Sequence, residues 1–249
     1  MVPVEKKTIS YKDVPRLINL TKRLSAVAEL VPSGAVIADI GTDHGYIPIA
    51  LCESGRCPKA IASDVVPGPL TAAKEHVRQA GLTAKIECRL GSGLETLQPG
   101  EVTGALFCGM GGPLIQNLLR QSPGVVEKLE FLIFQPQSDV PVLRRHIYDM
   151  AWHIEDERLV EEDGRLYEII LARPGRAEVP PRWLCEIGPC NWARHDELVP
   201  RLLAELRQKD ERVRAGLLRS QKDQSQRLAL LERHINELEE LLCQYNSAK

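Results

Sequence analysis

From residue 35 to residue 172 the chain alternates short continuous apolar runs with stretches of helical periodicity. The runs are Ala35–Ile40, Ala60–Asp64, Lys85–Cys88, Gly104–Cys108 and Phe131–Gln135, followed by His153–Val160 and Leu166–Ala172. The first five are short, mainly apolar runs, as expected of strands buried on both faces. Between them, Pro48–Ser54, Pro69–Ala80, Leu114–Arg120 and Val140–Met150 read as helices. Pro48 and Pro69 stand where helices begin, at positions whose missing N–H costs nothing. Strand–helix alternation of this length predicts a parallel sheet with right-handed crossovers. The last two runs are separated by a short segment containing Glu162-Asp163-Gly164, a turn signal, and form a hairpin. The expected core is α/β, with a seven-stranded, mostly parallel sheet ending in an antiparallel hairpin.

Beyond this core the chain is rich in Arg, Glu and Leu. Leu228, Leu231, Ile235, Leu238 and Leu242 follow a 3-4-3-4 spacing, a heptad seam. Leu198, Leu202, Leu206, Val213 and Leu217 form a less regular stripe before it. The polar stretch Ser220–Gln226 reads as a turn, so that two helices pair antiparallel; the alternative is one continuous helix. The expected organisation is a first domain over residues 1–175, with a short helical segment at its start, and a C-terminal helical coiled-coil domain over 176–249.

Composition narrows the function classes. Lys+Arg total 32 against 34 Asp+Glu, so a nucleic-acid partner must be held by local patches rather than a uniform field. Aromatics are 4%, which argues against a broad base-stacking sheet. No apolar run approaches the length of a membrane span, and the first residues lack a signal core. The seven cysteines are odd in number and scattered, outside any recognisable zinc spacing. Reduced thiols, a cytoplasmic location and no metal are expected.

The chemistry concentrates after the first strand, in Ala38-Asp39-Ile40-Gly41-Thr42-Asp43-His44-Gly45-Tyr46-Ile47-Pro48. Gly41 allows a tight turn and close backbone approach to a ligand. Asp64, at the end of the second strand, is placed to accept from both ribose hydroxyls of an adenosine-containing cofactor. A dinucleotide fingerprint would require glycine at 43 and 46, where this chain has Asp43 and Tyr46. A pyrophosphate would be repelled there, whereas the sulfonium and ammonium of S-adenosylmethionine would be attracted to Asp39 and Asp43. The competing role for the two aspartates is capping of the following helix. His44 is open between packing and cofactor contact.

Together with Leu20-Thr21-Lys22-Arg23-Leu24, Gly109-Met110-Gly111-Gly112 and Gln135-Pro136-Gln137, this loop resembles the motif series of the bacterial tRNA (adenine-22-N1)-methyltransferases, the TrmK family. The resemblance covers residues 20–172 by motif and the helical tail by type. It implies a Rossmann-like class I methyltransferase core that binds S-adenosylmethionine and acts on N1 of adenine in the D-arm region of tRNA. It implies a cofactor site of Asp39, Gly41, Asp43, His44, Asp64 and Val65, with Gly91, Ser92 and Gly93 and with Gly109, Met110 and Gly111. Ser92 stands where the family usually has Asp, and Asp64 where it usually has Glu.

The same resemblance places Asp43 beside the transferred methyl, as the catalytic residue; the alternative is that it binds only the methionine ammonium. Tyr46, Gln135, Pro136 and Gln137 are expected near the adenine, the two amides reading its Watson–Crick edge. Lys22, Arg23, Arg144 and Arg145 near the cofactor end, and Arg212 and Arg214 in the tail, are expected to grip RNA phosphates. Lys6, Lys7, Lys12, Arg16 and Lys222 add basic charge. The expected partner is tRNA, bound by a monomer, with a homodimer through the coiled coil as the alternative. Rival readings are a methyltransferase of the same core acting on a small molecule or protein, and a non-catalytic binding module.

Overall fold

The computed structural model describes residues 18–220 and 223–247. Lys6, Lys7, Lys12, Arg16 and Lys222 lie outside the described residues. The chain divides into two compact units, residues 1–179 and residues 180–249. No helix among the described residues is long and apolar enough to cross a membrane.

In the first unit, α1 (Lys22–Leu30) begins at Thr21, whose hydroxyl accepts from the Leu24 amide at 3.4 Å. Strand β1 (Ile37–Ile40) is buried at every position, then α2 (Tyr46–Glu53) leads to β2 (Ala60–Asp64). Helix α3 (Pro67–Gln79) carries proline in its first turn and returns the chain to β3 (Ile86–Leu90). The remaining elements are β4 (Gly104–Gly111), α4 (Gly112–Gln121), α5 (Pro123–Val126), β5 (Phe131–Ser138), α6 (Val140–Asp149), β6 (Trp152–Glu162) and β7 (Arg165–Pro174).

The sheet has seven strands in the order β3-β2-β1-β4-β5-β7-β6. Strands β1 to β5 are parallel and β7 runs antiparallel to both β5 and β6, as the apolar pattern predicts. Ile37, Leu106, Phe131, Ile133 and Ile169 are among its fully or nearly fully buried residues. Gly104 is fixed by packing, because a Cβ there would overlap the Phe131 ring on the neighbouring strand. Strand order reverses between β1 and β4, so the crevice beyond their carboxyl ends is the place where open α/β sheets bind ligands.

Arg144 does not take the RNA-contacting role that the sequence suggests. Arg144 on α6 is completely buried and binds Glu157 on β6 and Glu168 on β7, each at 2.6 Å. It is a structural ion group within the unit and presents nothing to RNA phosphates. Its neighbour Arg145 is exposed and pairs with Asp149 at 3.2 Å.

The second unit contains α7 (Arg182–Ile187), α8 (Pro189–Ala193), α9 (Val199–Leu218) and α10 (Ser225–Ser247). Helices α9 and α10 are separate and antiparallel: Arg207 pairs with Glu239 at 3.2 Å, and Asp210 with His234 at 2.6 Å. Ile235 and Leu238 are buried as the heptad spacing predicts, but Leu241 and Tyr245 complete the buried stripe while Leu242 is half-buried. An α-helix turns once per 3.6 residues, so a seven-residue repeat drifts around its surface and the buried face moves with it. Val213, placed on the apolar stripe of α9, is exposed. Glu186 and, less strongly, Asp210 hold the His234 imidazolium above the usual histidine range, against the opposing effect of burial.

Candidate active site

The acid-bearing turn leaves β1 at its carboxyl end, next to β2. Gly41, His44 and Gly45 all take the left-handed conformation, with φ of 72°, 64° and 72°. At 41 the positive φ favours glycine, and a Cβ there would also displace the end of the Met110 side chain arriving from β4. The amides of Gly41 and Thr42 donate to the Ser63 carbonyl at 2.8 and 2.9 Å, and the Gly91 amide donates to the Asp64 carbonyl at 3.0 Å. The exits of β1, β2 and β3 are thereby tied to one another.

Asp39 is buried, and its carboxylate accepts from the Thr42 hydroxyl at 2.6 Å. Burial pushes its pKa up to about 6; the Thr42 bond acts against this, and the nearby Asp64 charge adds to it. Helix α2 is capped by Gly45 with no side-chain bond, so neither Asp39 nor Asp43 has the capping role. The Asp43 side chain is 80% exposed, with His44 Nε2 at 3.2 Å. Nδ1 of His44 is buried without a hydrogen-bond partner among the described residues. The His44 ring stacks on Tyr46 at 5.5 Å and lies 5.6 Å from His76, whose Nδ1–H donates to the His44 carbonyl at 2.9 Å.

Asp64 is half-buried and accepts from the Val66 amide at 2.7 Å. Directly after it, Val65 is exposed, as is Leu90 at the end of β3. Two large apolar side chains in water at adjacent strand exits form an apolar edge suited to a flat aromatic ring. Gly91 and Gly93 are held to glycine by Thr96 and Leu118, whose side chains a Cβ would meet at 2.6 and 2.7 Å. Ser92 is half-buried between them and makes no cap bond to the short helical turn Gly93–Thr96.

On the other side of β1, Gly109 (φ 77°) is exposed, and a Cβ there would meet only Gln137 Nε2, at 3.6 Å. Gly112, in contrast, is pressed against the Ser138 and Asp139 carbonyls, each 2.9 Å from where a Cβ would stand. Gln135 and Pro136 are buried and only Gln137 is exposed. Arg23 Nη1 donates to Gln135 Oε1 at 2.5 Å, while Gln135 Nε2 donates to the Pro136 carbonyl at 3.1 Å. The Gln135 amide therefore faces inward, not toward a base. Arg23 is committed as well: its amide donates to Glu162 at 2.9 Å, and its guanidinium lies 5.2 Å above the Tyr167 ring. Lys22 is exposed on α1, and Arg212 and Arg214 are exposed on α9 of the other unit. Arg212 donates to Gln208 at 2.5 Å.

Sequence reasoning does not reach Thr42, Glu162 or Tyr167. Thr42 carries one local signal, a hydroxyl three residues after a buried acid. Glu162 lies 139 residues from the amide it accepts from, and no local pattern carries such a pairing.

Relatives share this architecture. The sequence model of the methyltransferase-domain family matches residues 20–170. The tRNA (adenine(22)-N(1))-methyltransferase of Bacillus subtilis is 39% identical over 158 residues, covering 64% of this chain and 66% of that enzyme. The crystal structure of the B. subtilis m1A22 tRNA methyltransferase TrmK superposes with a TM-score of 0.81 at 30% identity, covering 90% of this chain and 99% of that one. This chain belongs to the TrmK family of methyltransferases. A Streptococcus pneumoniae protein crystallised with S-adenosyl-L-methionine is 32% identical, with a TM-score of 0.80 over 90% of this chain and all of that one.

The TrmK site of this chain fits such a cofactor on its own chemistry. Asp39 is a buried carboxylate with a raised pKa and a hydrogen bond from Thr42, an arrangement that nearby positive charge would relieve. Val65 and Leu90 offer an apolar edge for the adenine, and Asp64 a carboxylate for the ribose.

A pH dependence follows. Below about pH 6 Asp39 is protonated and loses its attraction for a cation, so S-adenosylmethionine affinity should weaken as pH falls through 6. Its effect on folding has the opposite sense. Because the folded pKa exceeds the ordinary 3.8, the contribution is most favourable below that value and is lost as pH rises toward 6. Asp39→Asn should therefore stabilise the free protein at pH 8 by about 1–3 kcal/mol while weakening cofactor binding at least tenfold. Urea unfolding and calorimetry read the two effects; a less stable variant at pH 8 would contradict the role of burial.

Proposed function

We propose that this protein transfers the methyl group of S-adenosylmethionine to N1 of adenine 22 in tRNA. The acid-bearing turn Asp39–Gly45, beside Asp64 and in a chain of this kinship, is the observation that carries the proposal. S-adenosylmethionine, when bound, supplies a methyl group already activated by a sulfonium. The protein's task is then alignment and exclusion of water. Asp64 would bind the ribose hydroxyls, Val65 and Leu90 would flank the adenine of the cofactor, and Asp39 would offset its positive charge. Gly109 leaves space where the target base would approach, and Gln137 is the exposed amide at that edge.

Attack by the N1 lone pair forms the N–C bond as the C–S bond breaks, and its electrons stay on sulfur. Positive charge passes from sulfur to the adenine ring. The exposed carboxylate of Asp43 would stabilise that charge or accept a proton from the exocyclic amine. His44, 3.2 Å from Asp43, would orient the carboxylate. Arg212 and Arg214 on α9 would contact tRNA phosphates. The apolar seam of α10 meets α9 of the same chain, which supports a monomer, and a tRNA substrate would favour a cytoplasmic location.

The test is incubation of the purified protein with methyl-labelled S-adenosylmethionine and unmodified tRNA. One labelled adenine and a reverse-transcription stop at position 22 are expected, because N1 methylation removes Watson–Crick pairing. Label on protein or metabolites, and never on tRNA, would overturn the proposal.

A further inference from the structure

The first unit holds an open cavity of about 590 Å³ that lies away from the acid-bearing turn, at the amino-terminal halves of β2 and β3. Ala60, Ile61, Val77 and Ile86 form its apolar floor. Lys59, Lys74 and Lys85 line it. Lys59 immediately precedes β2 and Lys85 immediately precedes β3, and Ala60 is paired with Ile86, so the two lysines enter adjacent parallel strands side by side. The Ala60 amide donates to the Lys85 carbonyl at 2.9 Å, which fixes that adjacency. Lys74 comes from α3, one turn before Val77. All three lysines are exposed.

No hydrogen bond or ion pair engages these three ammonium groups among the described residues. The two carboxylates lining the cavity are already held. Arg89 donates to Glu87 at 2.8 and 2.9 Å, and to Glu101 at 2.5 and 2.8 Å. That guanidinium holds Glu101 down to about 2 and Glu87 below the usual carboxylate range, so both stay ionised and paired. The lining and its arginine thus retain a net positive charge. Elsewhere in the unit, Arg23, Arg144 and Arg145 are bound to protein partners. Uncommitted cations gathered in a concave wall concentrate their field on an anion more than the same charges on a convex face.

We propose that this groove is a docking site for the phosphate backbone of tRNA, on the catalytic unit and away from the cofactor crevice. It rests on the tRNA substrate proposed above. Lysine is a flexible point charge, suited to phosphates and not to reading bases, so the groove contributes affinity and register without sequence preference. The apolar floor accommodates the carbon face of a ribose between two phosphates.

The experiment compares tRNA binding by the full-length protein and its K59Q/K74Q/K85Q variant across a salt series, by fluorescence anisotropy. Releasing three phosphate contacts should lower the slope of log affinity against log salt by about 2, and weaken binding about tenfold or more near physiological salt. A control variant, K128Q/R165Q/R176Q, removes the same charge from exposed positions outside the groove and should leave slope and affinity near those of the unmodified protein. S-adenosylmethionine affinity should be unchanged in both. An unchanged slope in the groove variant, or equal losses in the two variants, overturns the proposal. Binding is read without turnover, so a protein that grips tRNA through the groove but methylates no adenine would refute the proposed reaction and leave the groove standing.

Discussion

Asp43→Ala is expected to lower kcat for tRNA methylation by about 10²–10³-fold while leaving the fold intact. The side chain is 80% exposed and its neighbour is the adjacent His44, with Nε2 at 3.2 Å, so its removal costs little packing. Single-turnover measurement at saturating cofactor and tRNA separates its two possible duties. A residue that stabilises charge on the adenine loses kcat with the S-adenosylmethionine Kd nearly unchanged. A residue that only binds the methionine ammonium shows a raised cofactor Kd and a kcat that recovers at saturation. Near-normal rates at every cofactor concentration would remove Asp43 from the mechanism.

Arg144→Met carries the largest expected effect on stability, a loss of about 3–5 kcal/mol. The guanidinium is fully buried, and its removal takes from Glu157, also fully buried, and from Glu168 the cation that each binds at 2.6 Å. Adding Glu157→Gln to Arg144→Met should recover part of the loss, because a buried carboxylate that has lost this cation is removed with it. Urea unfolding at neutral pH measures both. At a temperature where Arg144→Met remains folded, its tRNA affinity should equal that of the unmodified protein. A selective loss of tRNA affinity with normal stability would restore the RNA-contact role that the sequence suggests.

The contrast between Arg144 and Arg145 shows where local pattern stops being informative. Two adjacent arginines on one helix are equivalent in sequence, yet successive helical residues point about 100° apart. One enters the interior to meet carboxylates 13 and 24 residues away, and the other stays in water. Gln135 is similar. A polar residue ending an apolar strand suggests a binding group, but Arg23 reaches it across 112 residues and turns it into an internal pair. Glycines divide in the same way: Gly109 lies open at the crevice edge, whereas Gly91, Gly93 and Gly112 are demanded by neighbours that only the folded chain supplies.

The chain's own pattern of apolar runs determined the strands, their parallel arrangement and the closing hairpin, and the spacing of Asp39, Gly41, Asp43 and Asp64 singled out the turn proposed to hold a cationic adenosyl cofactor. Those features depend on local periodicity and backbone stereochemistry, which act over a few residues. Folding alone decided which charges are free. Lys59, Lys74 and Lys85 are unremarkable in sequence and meet only because parallel pairing sets β2 beside β3 with α3 across them. Arg144 was taken out of solvent, and Arg23 partly so, by partners far along the chain, since desolvating a charge is tolerable only where three-dimensional packing delivers its counter-charge.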